Sequence, residues 1–303
     1  MDKVSLKGIA AATLMSVCIG LQFYFIKSLM NIFGNRVFLF LTLRFLLAAS
    51  VMLPVLIFKK TRLKKIFNFK LMLVSLLLPF LNLSFQTFGV KNCSVTSVGY
   101  ISSLGPVITL VVSAVVLKKK PTLKQIFSII IACAGTALIY FGKNAEARLD
   151  LGAALIFAAL VCRSLYAALS RKPAKDLSPL ELTAVQIFWG FVFFAAVFVT
   201  RSKGGSAASI AALIKPMGVR GWINLLYVSL VSLDAVYFLN NYSLSEISVA
   251  ASGVMSNLTF VVTLLSGVLL LNEKINAWAI FGAALTVLGV IFMNLGQKKN
   301  NGQ

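Results

Sequence analysis

Apolar residues run through this chain in long blocks, separated by short polar segments that are rich in lysine and arginine. A block of about 20 apolar residues is long enough for a helix to cross the hydrocarbon core of a membrane. The pattern predicts ten such helices, at roughly 8–26, 37–58, 71–90, 94–117, 123–141, 151–169, 183–200, 222–242, 247–271 and 276–295. We therefore predict an all-α membrane protein whose first block is retained as a helix rather than cleaved as a signal peptide.

Composition and charge agree with this interpretation. Hydrophobic residues make up 59% of the 303 positions, and only 12% are charged. The net charge of +21 would indicate nucleic acid in a soluble protein, but here the cations lie in short loops, as the positive-inside rule describes. With the N-terminus inside, the most basic loops, 59–70 and 118–124, are cytoplasmic. We predict a multi-pass protein of the cytoplasmic (inner) membrane with both termini in the cytoplasm, in contact with membrane lipids and not with nucleic acid.

The chain resembles itself at a distance of 154 residues. GYISSLGPVITLVVSAVVL (99–117) aligns with GVMSNLTFVVTLLSGVLLL (253–271), and the glycine, serine and threonine identities are hard to explain by chance apolar matching. These identities include Gly99/Gly253, Ser102/Ser256 and Thr109/Thr263. We predict two copies of a five-helix unit, at 1–148 and 149–303, within one membrane domain.

Five helices per copy is an odd number, so the second copy must enter the membrane upside down relative to the first. Inverted repeats of this kind are a recurrent architecture of secondary transporters, which rock two halves about a site near the bilayer midplane. The predicted fold is therefore ten transmembrane helices in two inverted-topology repeats, and transport is the leading hypothesis for function.

Four short motifs, in order along the chain, carry a family resemblance. They are IGLQFYFIK (19–27), the Arg44–Phe45 pair, LGPVITL (104–110) and LLLNEK (269–274). With these motifs the chain resembles the drug/metabolite transporter superfamily, EamA branch, from end to end. The resemblance implies ten helices, two inverted five-helix repeats and transport of a small molecule. The sequence departs from the family pattern at Lys119, where the first copy usually has a glutamate.

Arg163 is the second departure, because RSLY (163–166) stands where the family often has a tryptophan-containing stretch. An arginine at depth in a membrane helix costs about 2.5 to 3.5 kcal/mol on insertion scales, so it usually faces a cavity or a counter-charge. One interpretation is that Arg163 binds a substrate carboxylate or phosphate. The other is that it snorkels to the cytoplasmic surface, roughly 9 Å away at the helical rise.

Asp234 is the acidic residue that the pattern places deepest within a span. It either pairs with Arg163 or Arg44 to hold helices together, or it binds a substrate ammonium or takes up a proton. Arg44 occupies a family position, where a structural role is the first interpretation and a share in carboxylate binding the second. Polar residues at helical spacing in the third and eighth spans predict cavity-lining faces. The candidate substrate-binding residues are thus Arg163, Asp234, Tyr166, Gln22, Asn82, Gln86, Tyr237 and Arg44.

We predict a transporter of a small polar metabolite, an amino acid or related zwitterion, working by alternating access as a monomer or homodimer. Export or import of an organic anion or drug-like metabolite is the alternative, and a lipid flippase or non-transporting membrane protein is the alternative from another class. No enzyme activity, cofactor or metal is predicted, because the chain has no histidine and its four cysteines lack metal-site spacing.

Overall fold

The computed structural model describes residues 6–58, 68–116, 151–170, 177–201, 217–246 and 249–273, with scattered helical positions between 123 and 138 and between 277 and 288. Within this part of the chain all regular structure is helical. The elements in chain order are α1 (Leu6–Phe33), α2 (Val37–Phe58), α3 (Phe69–Ser75), π1 (Leu76–Leu81), α4 (Asn82–Asn92), α5 (Val95–Ser102), α6 (Gly105–Val116), α7 (Leu151–Leu169), α8 (Pro179–Arg201), α9 (Gly218–Leu226), π2 (Tyr227–Ala235), α10 (Val236–Glu246) and α11 (Val249–Leu271).

Six helical stretches in the described residues are long and apolar enough to cross a membrane. A seventh is formed if α5 and α6, which are bent by 40°, are taken as one span. These helices confirm a polytopic α-helical membrane protein, and α2 and α7 have the predicted bounds. The predicted spans 123–141 and 276–295 lie largely outside the described residues, so the prediction of ten helices stays a prediction.

Two spans that the apolar pattern predicts as continuous are broken near their middle. In the stretch 69–92, Leu78 has extended backbone angles (φ −136°, ψ 117°) just before Pro79, whose ring lacks a donor N–H and clashes with the preceding turn. In the stretch 218–246, the nine residues of π2 form wide π-helical turns without a proline. Such irregular turns within helices often occur at functional sites.

Helices from the first half of the chain pack against helices from the second half. α1 packs along α11 and α10, α7 packs against α4 and α6, and α2 packs against α8. A buried apolar cluster joins these helices, with Ile26, Phe40, Ile156 and Phe194 among its members. The interior site described below lies where π1 and π2 interrupt this packing.

Glycines set the closest helix contacts, as expected where lipid provides no hydrophobic drive between helices. A Cβ on Gly20 in α1 would lie 2.6 Å from Val262 Cβ in α11. A Cβ on Gly190 in α8 would overlap Phe45 Cε1 and would lie 2.7 Å from Pro79 Cγ. Both distances are too short for carbon atoms, so the absence of a side chain permits the observed approach.

Gly190→Ala should destabilise the protein, because both neighbours of the added methyl are rigid rings. We expect a loss of about 1–3 kcal/mol, as for other overpacked cores, seen as a lower melting temperature of the detergent-purified protein. Gly105→Ala is the matched control, since its Cβ would lie 3.8 Å from Leu160 Cδ2. Equal melting temperatures for the two variants would contradict the packing assigned to Gly190.

Candidate functional site

Arg44 in α2 is completely buried among the helices. Its Nε donates to the backbone carbonyl of Val228 in π2 at 2.7 Å, and its Nη2 lies 3.4 Å from Gln22 Oε1 in α1. The third nitrogen, Nη1, is buried and has no hydrogen-bond partner among the described residues. Arg44 therefore ties α1, α2 and π2 together while leaving one donor unused.

Tyr237 in α10 lies at the centre of the predicted set. Its side chain is close enough to Arg44, Arg163 and Tyr166 for electrostatic interaction with each. Its buried hydroxyl makes no hydrogen bond to any residue that the structure describes. The Tyr166 hydroxyl lies beside Ser170 and Gln186 but makes no hydrogen bond of normal geometry with either. Gln22 joins this group by its contact with Arg44. Five of the predicted site residues thus lie close together: Gln22, Arg44, Arg163, Tyr166 and Tyr237.

Arg163 in α7 is exposed, in contrast to the completely buried Arg44. Its guanidinium is nonetheless within electrostatic range of Tyr237, whose hydroxyl is buried. A snorkelling arginine would instead extend along the outside of the bundle, away from interior tyrosines. The proximity to Tyr237 therefore favours an inward-facing guanidinium over a snorkelling one.

Asp234 in π2 has neither a hydrogen-bond partner nor an ion-pair partner among the described residues. Both carboxylate oxygens are buried, and neither accepts a hydrogen bond. No ion pair joins Asp234 to Arg44 or Arg163, so the structure does not show the helix-holding pair that the sequence left open. Burying a carboxylate without a hydrogen-bond donor is costly. Binding a cation, a proton or a hydrogen-bond donor at Asp234 would therefore be favourable.

Asn82 and Gln86 follow the break at π1 and lie on α4. Asn82 is buried and donates from Nδ2 to the backbone carbonyl of Ala159 in α7 at 2.7 Å, one helical turn before Arg163. Gln86 has a buried Oε1 for which no described residue supplies a donor. Asn82 thus positions α7, whereas Gln86 keeps an acceptor available.

Three polar residues of the face predicted for the eighth span form hydrogen bonds to neighbouring helices. Asn224 donates to Ser28 Oγ at 3.0 Å, and the Tyr227 hydroxyl donates to the carbonyl of Cys18 at 3.0 Å. Asn241 donates to Thr183 Oγ1 at 3.0 Å. Each of the three finds a partner on a neighbouring helix, and the prediction that this face also lines a cavity stays a prediction.

Sequence reasoning did not identify the partners of two residues in the family-like motifs. Lys27 in α1 donates to three backbone carbonyls at the end of α4, and Glu273 after α11 accepts from two backbone amides at the start of α5. The only signal in the sequence was the presence of these charges at the ends of predicted spans. Within the described residues no group of histidine, cysteine, aspartate or glutamate is arranged to hold a metal ion.

The fold and the interior define a polytopic helical membrane protein with unpaired charges between its spans. The chain belongs to the EamA-like transporter family, whose sequence profile it matches over residues 6–141 and 150–295. This confirms the resemblance carried by the four motifs, and it makes the protein a membrane transporter by family.

Relatives and a solved structure match most of the chain. It is 29% identical over 296 residues to the uncharacterized transporter YcxC of Bacillus subtilis (strain 168), covering 95% of this chain and 93% of that protein. It is 25% identical over 201 residues to a protein of Streptantibioticus cattleyicolor named "Probable terminal-alkyne amino-acid exporter", covering 65% and 64%. A solved crystal structure shares the fold at a TM-score of 0.66 and 16% identity, over 96% of this chain and 98% of that one.

The two arginines should respond differently to a change that keeps the charge. Arg44→Lys removes the planar fork that reaches Val228 and Gln22, and we expect it to cost about 1–3 kcal/mol of stability. Arg163→Lys should change stability by less than about 0.5 kcal/mol, because no described residue hydrogen-bonds its guanidinium. Thermal unfolding of the two purified variants beside the unaltered protein measures the difference. A larger loss for Arg163→Lys would overturn the assignment of Arg44 as the structural arginine.

Proposed function

We propose that the protein is a secondary transporter that moves an amino acid or related zwitterion across the cytoplasmic membrane by alternating access. The observation that carries this proposal is a set of charged groups without a partner among the described residues: Arg44 Nη1 and both oxygens of Asp234, which are buried, and the exposed guanidinium of Arg163. We infer binding and translocation rather than chemistry, since these groups offer complementary charge and no nucleophile with an adjacent base.

A zwitterion would satisfy these groups together. Its carboxylate would bind Arg163, with Arg44 Nη1 as a second donor, and its ammonium would bind Asp234. The unpartnered hydroxyls of Tyr166 and Tyr237 and the free acceptor of Gln86 would supply hydrogen bonds. Unpaired charges in a low-dielectric interior are costly, and a ligand that neutralises them gains affinity from that cost. A transporter needs such groups to be unoccupied between cycles.

Helix contacts support two inverted repeats at 1–148 and 149–303. A pseudo-twofold that exchanges α1 with α7 and α6 with α11 also exchanges the observed pairs α1–α11 and α7–α6. The same operation exchanges α4–α7 with α10–α1. The broken segments agree as well, because shifting π1 by 154 residues places it at 230–235, within π2. In transporters with inverted repeats, broken helices of this kind meet at the substrate site.

The name of one relative supports the substrate class. The Streptantibioticus cattleyicolor protein named as a probable exporter of a terminal-alkyne amino acid covers about two thirds of the chain. An organic anion remains a second candidate, since no electrostatic interaction links Asp234 to either arginine and the anion-binding groups cluster without it around Tyr237.

Ligand-induced thermal stabilisation distinguishes these candidates. We expect a panel of amino acids to include members that raise the melting temperature of the purified protein, and Arg163→Trp and Asp234→Asn each to abolish the shift. The matched 2-hydroxy acid, which lacks the ammonium, should give little stabilisation. Arg220→Gln, a loss of an exposed cation at the start of α9, is the control and should retain the shift.

Two results would change the proposal. If the hydroxy acid stabilises the protein and the effect survives Asp234→Asn but not Arg163→Trp, the substrate is an organic anion. If shifts produced by amino acids survive in both variants, neither charge belongs to the site and the assignment of the binding residues is wrong.

A further inference from the structure

The turn between α4 and α5, residues 92–95, is held by charged side chains from two other parts of the chain. Lys27, near the end of α1, and Glu273, just after α11, bond to opposite sides of this turn. Neither residue contributes to the interior site described above. The hydrogen bonds of both side chains connect α4 and α5 to parts of the chain that are distant in sequence.

Lys27 caps the end of α4. Its Nζ donates to the backbone carbonyls of Val90 at 3.0 Å, Lys91 at 3.0 Å and Cys93 at 2.7 Å. The last carbonyls of a helix have no partner within the helix and carry the negative end of its dipole. An ammonium with three donors matches this site in number and in sign.

Glu273 caps the beginning of α5. Its Oε1 accepts from the backbone N–H of Val95 and its Oε2 from that of Thr96, both at 2.8 Å. Ser94 Oγ accepts from the N–H of Ser97 at 3.1 Å, and the N–H of Val98 donates to the Ser94 carbonyl at 3.1 Å. All four amides at the start of α5 are therefore satisfied, two of them by a residue 177 or more positions away.

The end of α11 is shaped to direct this carboxylate. Asn272 has a left-handed backbone conformation (φ 53°), which asparagine tolerates better than most residues. The chain then folds back, and the Glu273 N–H donates to the Gly267 carbonyl at 3.1 Å. A Cβ on Gly267 would lie 2.8 Å from both Glu273 Oε2 and Thr96 Cγ2. Gly267 and Asn272 thus make room for the contact between Glu273 and α5.

We propose that Lys27 and Glu273 form a latch that holds this end of the bundle closed, and that its release opens the interior site to that side of the membrane. The proposal rests on the alternating-access transport proposed above. Movement of the α4–α5 hairpin away from α1 and α11 requires all five hydrogen bonds to break. Bonds to charged groups are stronger than neutral ones, so this end stays closed until the hairpin is driven apart.

The amino-acid sequence places the latch at one end only. Shifting back by 154 residues from Glu273 gives Lys119, a cation where the first copy would need a carboxylate. The same bond to helix amides cannot be made by a lysine, which has no acceptor. The carboxylate of the latch therefore has no counterpart in the sequence of the first copy, and we expect the two ends of the transporter to open with different ease.

Alkylation of single cysteines in nanodiscs tests the latch without a substrate. Cys93 is the natural reporter, because it is buried within the latched turn and its carbonyl bonds Lys27. The other cysteines are replaced by alanine. The second reporter, placed in the same background with Cys93→Ala, is Ala167→Cys, which is exposed one turn beyond Arg163 on the same face of α7. A membrane-impermeant maleimide reaches both ends of the protein in a nanodisc.

We expect Lys27→Met or Glu273→Gln to speed labelling of Cys93 about tenfold, since each removes charge-assisted bonds that hold the closed state. The double variant should also slow labelling of Ala167→Cys at least about twofold, because opening one end closes the other. Arg220→Gln and Glu246→Gln, which remove exposed charges outside the latch, are the controls and should leave both rates unchanged.

Two outcomes would overturn the latch. One is an unchanged rate of Cys93 labelling in both single variants. The other is faster Cys93 labelling with no change at Ala167→Cys in the double variant, which would show that the two charges only cap helix ends. Neither reading depends on which ligand the interior site takes, so a wrong substrate class would leave the result for the latch intact.

Discussion

In a lipid environment a backbone polar group has no water to bond, and this bundle interrupts two of its spans in the middle. Each interruption has a polar side chain near it that bonds another helix. Arg44 donates to the Val228 carbonyl in π2, and Asn82, directly after π1, donates to the Ala159 carbonyl in α7. These two bonds connect the broken spans to the rest of the bundle, and the arrangement of the interior follows from them.

The interruptions also explain why unpaired polar atoms collect in the interior. Asp234 lies within π2, and Gln86 follows π1 by little more than one helical turn. A regular, tightly packed helix would bring these side chains against apolar neighbours or into lipid. The turns π1 and π2 interrupt such packing, and α7, which carries the exposed Arg163, packs against π1. Arg44 and Asn82 bond other helices, whereas the side-chain oxygens of Asp234 and Oε1 of Gln86 have no hydrogen-bond partner among the described residues.

Much of this arrangement was predictable from the sequence, because a span in a membrane is defined by apolar length alone. The bounds of α2 and α7 follow directly from that length, and Arg163 attracted attention because a charge in an apolar block is costly. The π2 break was not predictable, since YVSLVSLDA contains neither proline nor glycine. The hydrogen-bond partners of Asn224, Tyr227 and Asn241 were not predictable, because helical spacing identifies a face but not what covers that face. The partners of Lys27 and Glu273 were missed because they are backbone groups, which leave no mark in a sequence.

Counterflow in proteoliposomes tests the central claim, that the interior charges bind a zwitterion and carry it across the membrane. Vesicles loaded with the unlabelled amino acid that stabilises the protein best would be diluted into a trace of the same compound in labelled form. Our account predicts a transient, saturable accumulation of label that Asp234→Asn and Arg163→Trp both abolish. Accumulation that persists in both variants, or label that enters no faster than into protein-free vesicles for every amino acid tested, would contradict it.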